Sequence, residues 1–255
     1  EELPDIKVIR IKAKEGLALP ATDSSAVPFS PRPEHDALLI YTSGTTGRPK
    51  GVIHSHASLL AGGANTAAAH HLTPEDRALC VLPLCHINGQ VVTVMGPLLS
   101  GSSVVMPSRF RVSRFWDWVS MHHCTWFSAV PTIISYLLGA QEAGADPEKK
   151  VLAHVRFGRS ASAALPPAVH TAFVERFGIP LVETMGITET AAPILSNPLN
   201  PKAHRIGSPG KSCGNEVRIA DERSTDLESG SEGEIQIRGH NVMKGYLKDP
   251  EKTRE

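Results

Sequence analysis

This sequence lacks any pairing of cysteines that would organise a small fold. Cys80, Cys85, Cys124 and Cys213 are irregularly spaced and form no Cys-x-x-Cys pair. That argues for reduced thiols in a cytoplasmic setting over a disulfide framework or a structural zinc site. A charge imbalance is also missing: 26 Lys+Arg stand against 26 Asp+Glu. No basic field therefore speaks for a nucleic acid or an anionic membrane surface as partner. No apolar run approaches the ~20 residues of a membrane-spanning helix, and the start Glu1-Glu2-Leu3-Pro4-Asp5 is too acidic for a secretory leader. The sequence opens without an initiator Met and stops soon after Gly245-Tyr246-Leu247-Lys248-Asp249-Pro250-Glu251, so a piece of a longer protein is expected. Its 255 residues can still bury a substantial core, in one large domain or two small ones.

What is present is concentrated in Tyr41-Thr42-Ser43-Gly44-Thr45-Thr46-Gly47-Arg48-Pro49-Lys50-Gly51, directly after the apolar run Ala37-Leu38-Leu39-Ile40. Glycines let backbone N–H groups converge on an anion, hydroxyls add donors, and Lys50 adds a mobile positive charge. The pattern predicts a polyphosphate-binding loop between a strand and a helix. It is not a Walker A loop, because Gly51 follows Lys50 where a Mg²⁺-binding Ser or Thr is needed. A P-loop hydrolase is disfavoured on that ground.

Residues 1–37, with Pro20, Pro28, Pro31 and Pro33, read as an irregular lead-in. From residue 38 the chain alternates: strands at 38–40, 78–82, 104–106, 126–130, 155–157 and 180–183, helices at 59–69, 90–99, 132–140 and 167–177. A further helix is expected from an N-cap at Ser113, burying Phe115, Trp116 and Val119. Such alternation predicts an α/β fold of layered, mostly parallel sheets flanked by helices over 38–204. Beyond 205, strands at 216–220 and 234–238 with no helix between them predict the start of a small β subdomain over 205–255.

The loop resembles the phosphate loop of adenylate-forming enzymes, the superfamily of acyl-CoA synthetases, luciferases and peptide-synthetase adenylation domains, and it fits that pattern at every position. The resemblance implies ATP, Mg²⁺ and coenzyme A as cofactors and co-substrates, with Thr42, Ser43, Gly44, Thr45, Thr46, Gly47 and Lys50 on the β- and γ-phosphates. Thr184-Met185-Gly186-Ile187-Thr188-Glu189 resembles the family's Tyr-Gly-x-Thr-Glu motif. It implies that Thr188 contacts the α-phosphate and Glu189 holds Mg²⁺, with Lys50, Thr188 and Glu189 as the catalytic set. Met185 stands where the family has a tyrosine. Alone, a Thr-Glu pair after a strand also suits a simple helix cap.

Gly158-Arg159-Ser160-Ala161-Ser162-Ala163-Ala164-Leu165 resembles the family's small-residue adenine segment. With Glu183, Thr184 and Met185, residues Ser160, Ala161 and Ser162 are the implied adenine contacts. Pro83-Leu84-Cys85-His86-Ile87-Asn88-Gly89 resembles the segment bordering the acyl site. His86, Gly186 and Ile187 are then acyl-binding, and Cys85, in place of an aromatic, is expected to reshape the pocket. Gly233-Glu234-Ile235-Gln236-Ile237-Arg238-Gly239 and Gly245-Tyr246 resemble a structural strand pair.

The implied activity is AMP-forming acyl-CoA synthesis, with a ribose-binding aspartate, a hinge and a mobile lid domain expected downstream. Residues 115–116 and 125–133 look most like oxalate-CoA ligases and related small-acid ligases, where Arg159 or His86 would neutralise a second carboxylate. Met185, Cys85 and Ile87 would also suit the aliphatic tail of a medium- or long-chain fatty acid. A non-catalytic AMP-binding module stays open too. His54-x-His56, His70-His71 and His122-His123-Cys124 show no zinc spacing and are read as helix-end or surface histidines.

Overall fold

Two antiparallel strands, β1 (Asp36–Thr42) and β2 (Lys50–Ser55), flank the phosphate loop, with Thr42 directly opposite Lys50. The computed structural model describes residues 30–42, 49–140 and 152–254, and those from Arg32 onward lie in one compact unit. The helix expected straight after the loop starts later, because β2 intervenes. Lys50–Ser55 gives no clean local signal: it is buried at four of its six positions and draws its second strand partner from near residue 245. α1 (His56–Ala69) then opens on a capping box. The Ser55 hydroxyl accepts from the Ser58 N–H at 3.1 Å, and the Ser58 hydroxyl accepts from the Ser55 N–H at 3.1 Å.

The alternation read from the sequence follows. β3 (Arg77–Cys80) leads to a π-helical stretch, Asn88–Met95, which runs into α2 (Gly96–Leu99). After these come β4 (Ser103–Val105), α3 (Val112–Met121), β5 (Trp126–Ala129) and α4 (Pro131–Gly139). β6 (Phe157–Ser160), α5 (Pro167–Phe177) and β7 (Leu181–Ile187) complete the series. The strands lie in the order β4-β3-β5-β6-β7, all parallel. Two antiparallel strands, β8 (Ala192–Ser196) and β9 (Lys211–Ser212), extend the edge to seven strands. The fold is thus α/β with a mostly parallel central sheet flanked by helices.

Strand side chains alternate between faces, so each strand feeds two cores. Leu79 and Phe127 enter one cluster with Phe115, Trp116, Phe173 and Phe177 from α3 and α5. Their neighbours Ala78 and Trp126 enter the other, with Phe157, Val91, Val92 and Leu59. Phe115, Trp116 and Val119 are buried as expected, but α3 starts at Val112, after Arg111, and Ser113 lies inside it. β6 runs over 157–160 and not 155–157, because Gly158, Arg159 and Ser160 are held by parallel partners on both sides. β7 continues to Ile187, past the expected turn at 184–186, and ends in a 3-10 turn, Thr188–Thr190.

β10 (Glu216–Ala220) and β11 (Glu234–Arg238) form the expected antiparallel pair. β12 (Gly245–Tyr246) does not join them; it pairs with β2 on the sheet that carries the phosphate loop. α6 (Pro250–Arg254) follows. Among the described residues no helix is long and apolar enough to cross a membrane.

Candidate active site

Parallel sheets bind ligands beyond the carboxyl ends of their strands, and a cavity of about 1280 Å³ lies at those ends. It brings together Thr42, Lys50, His86, Gly186, Ile187, Thr188 and Glu189, positions far apart in sequence. A cleft of about 360 Å³ adjoins it, lined by Ser160, Ser162, Glu183, Thr184 and Met185, and shares Ser162, Gly186 and Ile187 with the cavity. Ala161 faces the larger cavity. Ser43, Gly44, Thr45, Thr46 and Gly47 lie outside the described residues. Ile87 lines the cavity, whereas Cys85 is exposed and is not among its lining residues.

The chain leaving the turn Thr188–Thr190 is under backbone strain. Ala191 and Ala192, which follow it, have φ of 48° and 83°, a region that disfavours residues with a Cβ by roughly 1–3 kcal/mol each. Close approaches make room for it. A Cβ on Gly186 would come 2.5 Å from the Ala192 carbonyl oxygen, and one on Gly62 of α1 would come 2.3 Å from that of Ala191. All three carbonyls of the turn are capped from remote segments. His54 Nε2 donates to Thr188 at 2.7 Å, the Met243 N–H to Glu189 at 2.8 Å, and Asn241 Nδ2 to Thr190 at 2.6 Å. A carbonyl only accepts, so the His54 proton sits on Nε2. Burial lowers the basicity of His54, against the opposing pull of the Thr188 carbonyl and the Glu189 charge.

Glu189 and Lys50 meet through Tyr246. The Tyr246 hydroxyl donates to Glu189 Oε1 at 2.8 Å, and Lys50 Nζ lies 5.1 Å from the centre of the Tyr246 ring, within cation–π range. Burial and the Glu189 bond push the Tyr246 phenol up to about 12, so it stays a donor at neutral pH. No cluster of three or more His, Cys, Asp or Glu able to hold a metal occurs among the described residues. Glu189 nonetheless fits Mg²⁺, a hard cation that takes one or two carboxylates and completes its shell with phosphate oxygens and water.

In the adjoining cleft, Ser162 adopts φ 73°, a conformation that suits glycine or a small residue. The Glu183 carboxylate is already engaged: Oε1 accepts from His170 Nδ1 at 2.9 Å and from the Gly207 N–H at 3.0 Å. It braces the cleft wall. The Thr184 hydroxyl donates to the Ser160 carbonyl at 3.2 Å, and the Ser160 hydroxyl is buried without a partner.

Arg159, which the sequence offers with His86 for a second carboxylate, is buried in a strand. It is 1% exposed and lines the cavity. Nη1 donates to Asn88 Oδ1 at 2.8 Å and to the Ser128 hydroxyl at 3.1 Å, both uncharged. Nε is buried with no partner, and none of the salt bridges between described residues involves Arg159. Burial pushes the guanidinium down to about 10, still charged at neutral pH. A buried charge without a counter-charge is unfavourable by several kcal/mol.

Sequence reasoning missed the part that His54 and Asn241 play in the site, and gave Tyr246 a structural role only. His54 was read with the helix-end or surface histidines, yet it is fully buried, as is His70. The signal for His54 was present but weak: a histidine inside an apolar strand. Asn241 and Tyr246 reach the turn across 51 and 57 residues, and no local pattern marks that reach.

A family profile described as AMP-binding enzyme matches residues 3–247. The chain is 53% identical over 239 residues to the sulfoacetate–CoA ligase of Cupriavidus necator, covering 93% of this chain and 46% of the relative. It is 36% identical over 249 residues to the oxalate–CoA ligase of Arabidopsis thaliana, covering 94% and 48%. ATP-bound MatB from Rhodopseudomonas palustris superposes with a TM-score of 0.76 at 32% identity, over 85% of this chain and 42% of that one. The o-succinylbenzoate coenzyme A synthetase of Bacillus subtilis, in complex with AMP, gives 0.77 at 29% identity, over 88% and 45%. The chain spans about half the length of the curated relatives it matches.

Proposed function

We propose, for a chain that belongs to the AMP-binding enzyme family, that the whole protein is an AMP-forming acid–CoA ligase acting on a short or polar carboxylic acid. The observation that carries this reading is one cavity holding the phosphate-side groups Thr42, Lys50, Thr188 and Glu189 together with His86 and Ile187, with a narrow cleft opening beside it. Relatives named for sulfoacetate and oxalate support a small acid.

In this reading the cleft of Ser160, Ser162, Thr184 and Met185 takes the adenine, with Ala161 at its junction with the cavity and Glu183 bracing the wall. Thr42, Lys50 and the loop residues Ser43, Gly44, Thr45, Thr46 and Gly47 hold the β- and γ-phosphates. Thr188 contacts the α-phosphate, Glu189 takes Mg²⁺, and His86, Gly186 and Ile187 border the acid. An acid oxygen attacks the α-phosphorus, the bond to the β-phosphate breaks, and pyrophosphate leaves with that electron pair. A thiolate sulfur of coenzyme A then attacks the acyl carbon, forming C–S and releasing AMP. Mg²⁺, held by Glu189, would supply positive charge against the negative charge that develops on the phosphate oxygens. The protein contributes positioning and fixed electrostatics: Lys50 is oriented over the Tyr246 ring, and Glu189 is fixed by the Tyr246 hydroxyl and the Met243 N–H.

Residues 38–204 would be the nucleotide- and acyl-binding part and 205–255 the start of a β subdomain, with a lid domain of the longer protein as partner. A cytoplasmic location belongs to the same reading and suits four free thiols. The test is acid-dependent pyrophosphate exchange over a panel of carboxylic acids, on the whole protein and on this chain. Exchange with a small acid in the whole protein, and much weaker exchange in this chain, is expected. ATP binding without adenylate formation for any acid would leave a binding module, and hydrolysis to ADP without acid would make the protein a hydrolase. A clear preference for long-chain acids would overturn the small-acid part.

A further inference from the structure

The cavity has an acid-side charge that adenylation does not use. Among its lining residues the cations are Lys50, Arg109 and Arg159, and Glu189 is the one carboxylate. Lys50 and Glu189 belong to the phosphate side. Arg109 is exposed, whereas Arg159 is buried at the end of β6, where Ser128 of β5 is its direct strand partner.

Asn88 and Ser128 fix the orientation of that guanidinium without neutralising it. The Ser128 hydroxyl donates to Asn88 Oδ1 at 3.2 Å, and the same oxygen accepts from Arg159 Nη1. Asn88 Nδ2 also donates to the Ser162 hydroxyl at 3.3 Å, tying the group to the cleft. Nη1 is thereby consumed, and Nε is left buried without an acceptor. A guanidinium held from one side offers its other donors to a planar or trigonal oxyanion.

We propose that Arg159, oriented by Asn88 and Ser128, receives a second anionic group carried by the acid, so that the substrate class is a short carboxylic acid bearing a distal carboxylate or sulfonate. This rests on the ligase reading above. The acid then spans the cavity from the α-phosphate to Arg159, its reacting carboxylate on the Thr188 side and its second anion on the guanidinium. A monoanionic acid of the same length leaves the buried charge without a partner and is discriminated against.

The experiment measures acid-dependent pyrophosphate exchange by the whole protein, with sulfoacetate, malonate and succinate as dianions and propionate and butyrate as monoanions. The readout is the ratio of kcat/KM for dianion over monoanion. The expected ratio is about 100-fold or more in the native protein. Arg159→Met should collapse it, mainly through KM for the dianion. Asn88→Asp, nearly isosteric, sets a carboxylate against Nη1 and should collapse it without removing the guanidinium, which guards against a misfolded Arg159 variant. The sulfoacetate and malonate arms distinguish sulfonate from carboxylate as the second group. Efficient use of monoanions with no dianion preference overturns the proposal and leaves the ligase reading intact. So does a preference that survives both substitutions. No exchange with any acid overturns both.

Discussion

His70 should make the protein lose stability in mild acid. Its ring is fully buried, stacked on Trp126 at 5.8 Å and on Phe157 at 5.2 Å. Nδ1 faces the Thr66 carbonyl at 2.9 Å and must carry the proton, while Nε2 has no partner. Protonating Nε2 would bury a cation with no acceptor. Burial, reinforced by the nearby Arg159, Arg156 and His71 and opposed by the Thr66 carbonyl, pushes the imidazole down to about 3. The unfolded chain takes up that proton near pH 6.5. Below this value it binds more protons than the folded protein, so the contribution of a neutral His70 is fully present above pH 6.5 and is lost as the pH falls toward 3. Each pH unit in that window is worth about 1.4 kcal/mol. Going from pH 7.5 to 5.5 should therefore remove about 1.3 kcal/mol through this residue. Urea unfolding followed by tryptophan fluorescence measures the difference, with Trp126 against the ring as a local reporter. His70→Phe keeps an aromatic in the stack and cannot titrate, so the loss between pH 7.5 and 5.5 should shrink by about that amount. An unchanged loss in the variant refutes the reasoning.

Three other perturbations follow, two beside the site and one at the opposite, amino end of the parallel strands. Asn241→Ala leaves the Thr190 carbonyl without its buried donor and should destabilise by about 1–3 kcal/mol, lowering the urea midpoint together with pyrophosphate exchange; an unchanged midpoint would show that the turn holds itself. Gly186→Ala drives a Cβ to 2.5 Å from the Ala192 carbonyl oxygen, and a loss of about 1–3 kcal/mol is expected, with hydrogen exchange accelerating first in β7 and β8. Asp76→Asn weakens a buried carboxylate that accepts from the Thr125 hydroxyl at 2.7 Å, the Thr73 N–H at 2.9 Å and Arg156. Burial raises that carboxyl, but these bonds together hold it below its ordinary value. Its contribution is therefore present above about pH 3.9 and fades as the pH falls lower. The substitution should cost about 2 kcal/mol at pH 7, and an acid-unfolding curve that keeps the same shape would contradict this.

The sequence was most legible where local chemistry and tertiary packing agree. α5 is read from Pro167 at its start and ends at Gly178, whose φ of 69° closes it. β10 and β11 are read from their separation by glycine-rich turns. Legibility fails where burial overrides pattern. Gly158, Arg159 and Ser160 have weak strand preferences, yet partners on both sides make them a strand, and this buries Arg159 where a loop was expected. β2 was hidden for a related reason, since most of it is buried and its alternation is lost. In the site, those residues named by motif that the structure describes gather around one cavity and its adjoining cleft. Of those that hold the turn and its carboxylate, His54 leaves only a weak trace in its strand, and the roles of Asn241 and Tyr246 emerge in three dimensions.

The pairing of β12 with β2 has a consequence for how this chain can be divided. The strand that leads out of the phosphate loop has its outer edge covered by Gly245 and Tyr246, and the same short strand delivers the hydroxyl to Glu189. A gene split or circular permutation that separates residue 246 from the first half would expose that edge and free the carboxylate together. Complementation between two expressed halves should then depend on this two-residue strand far more than its length suggests, and a minimal nucleotide-binding piece of this protein has to run past Tyr246.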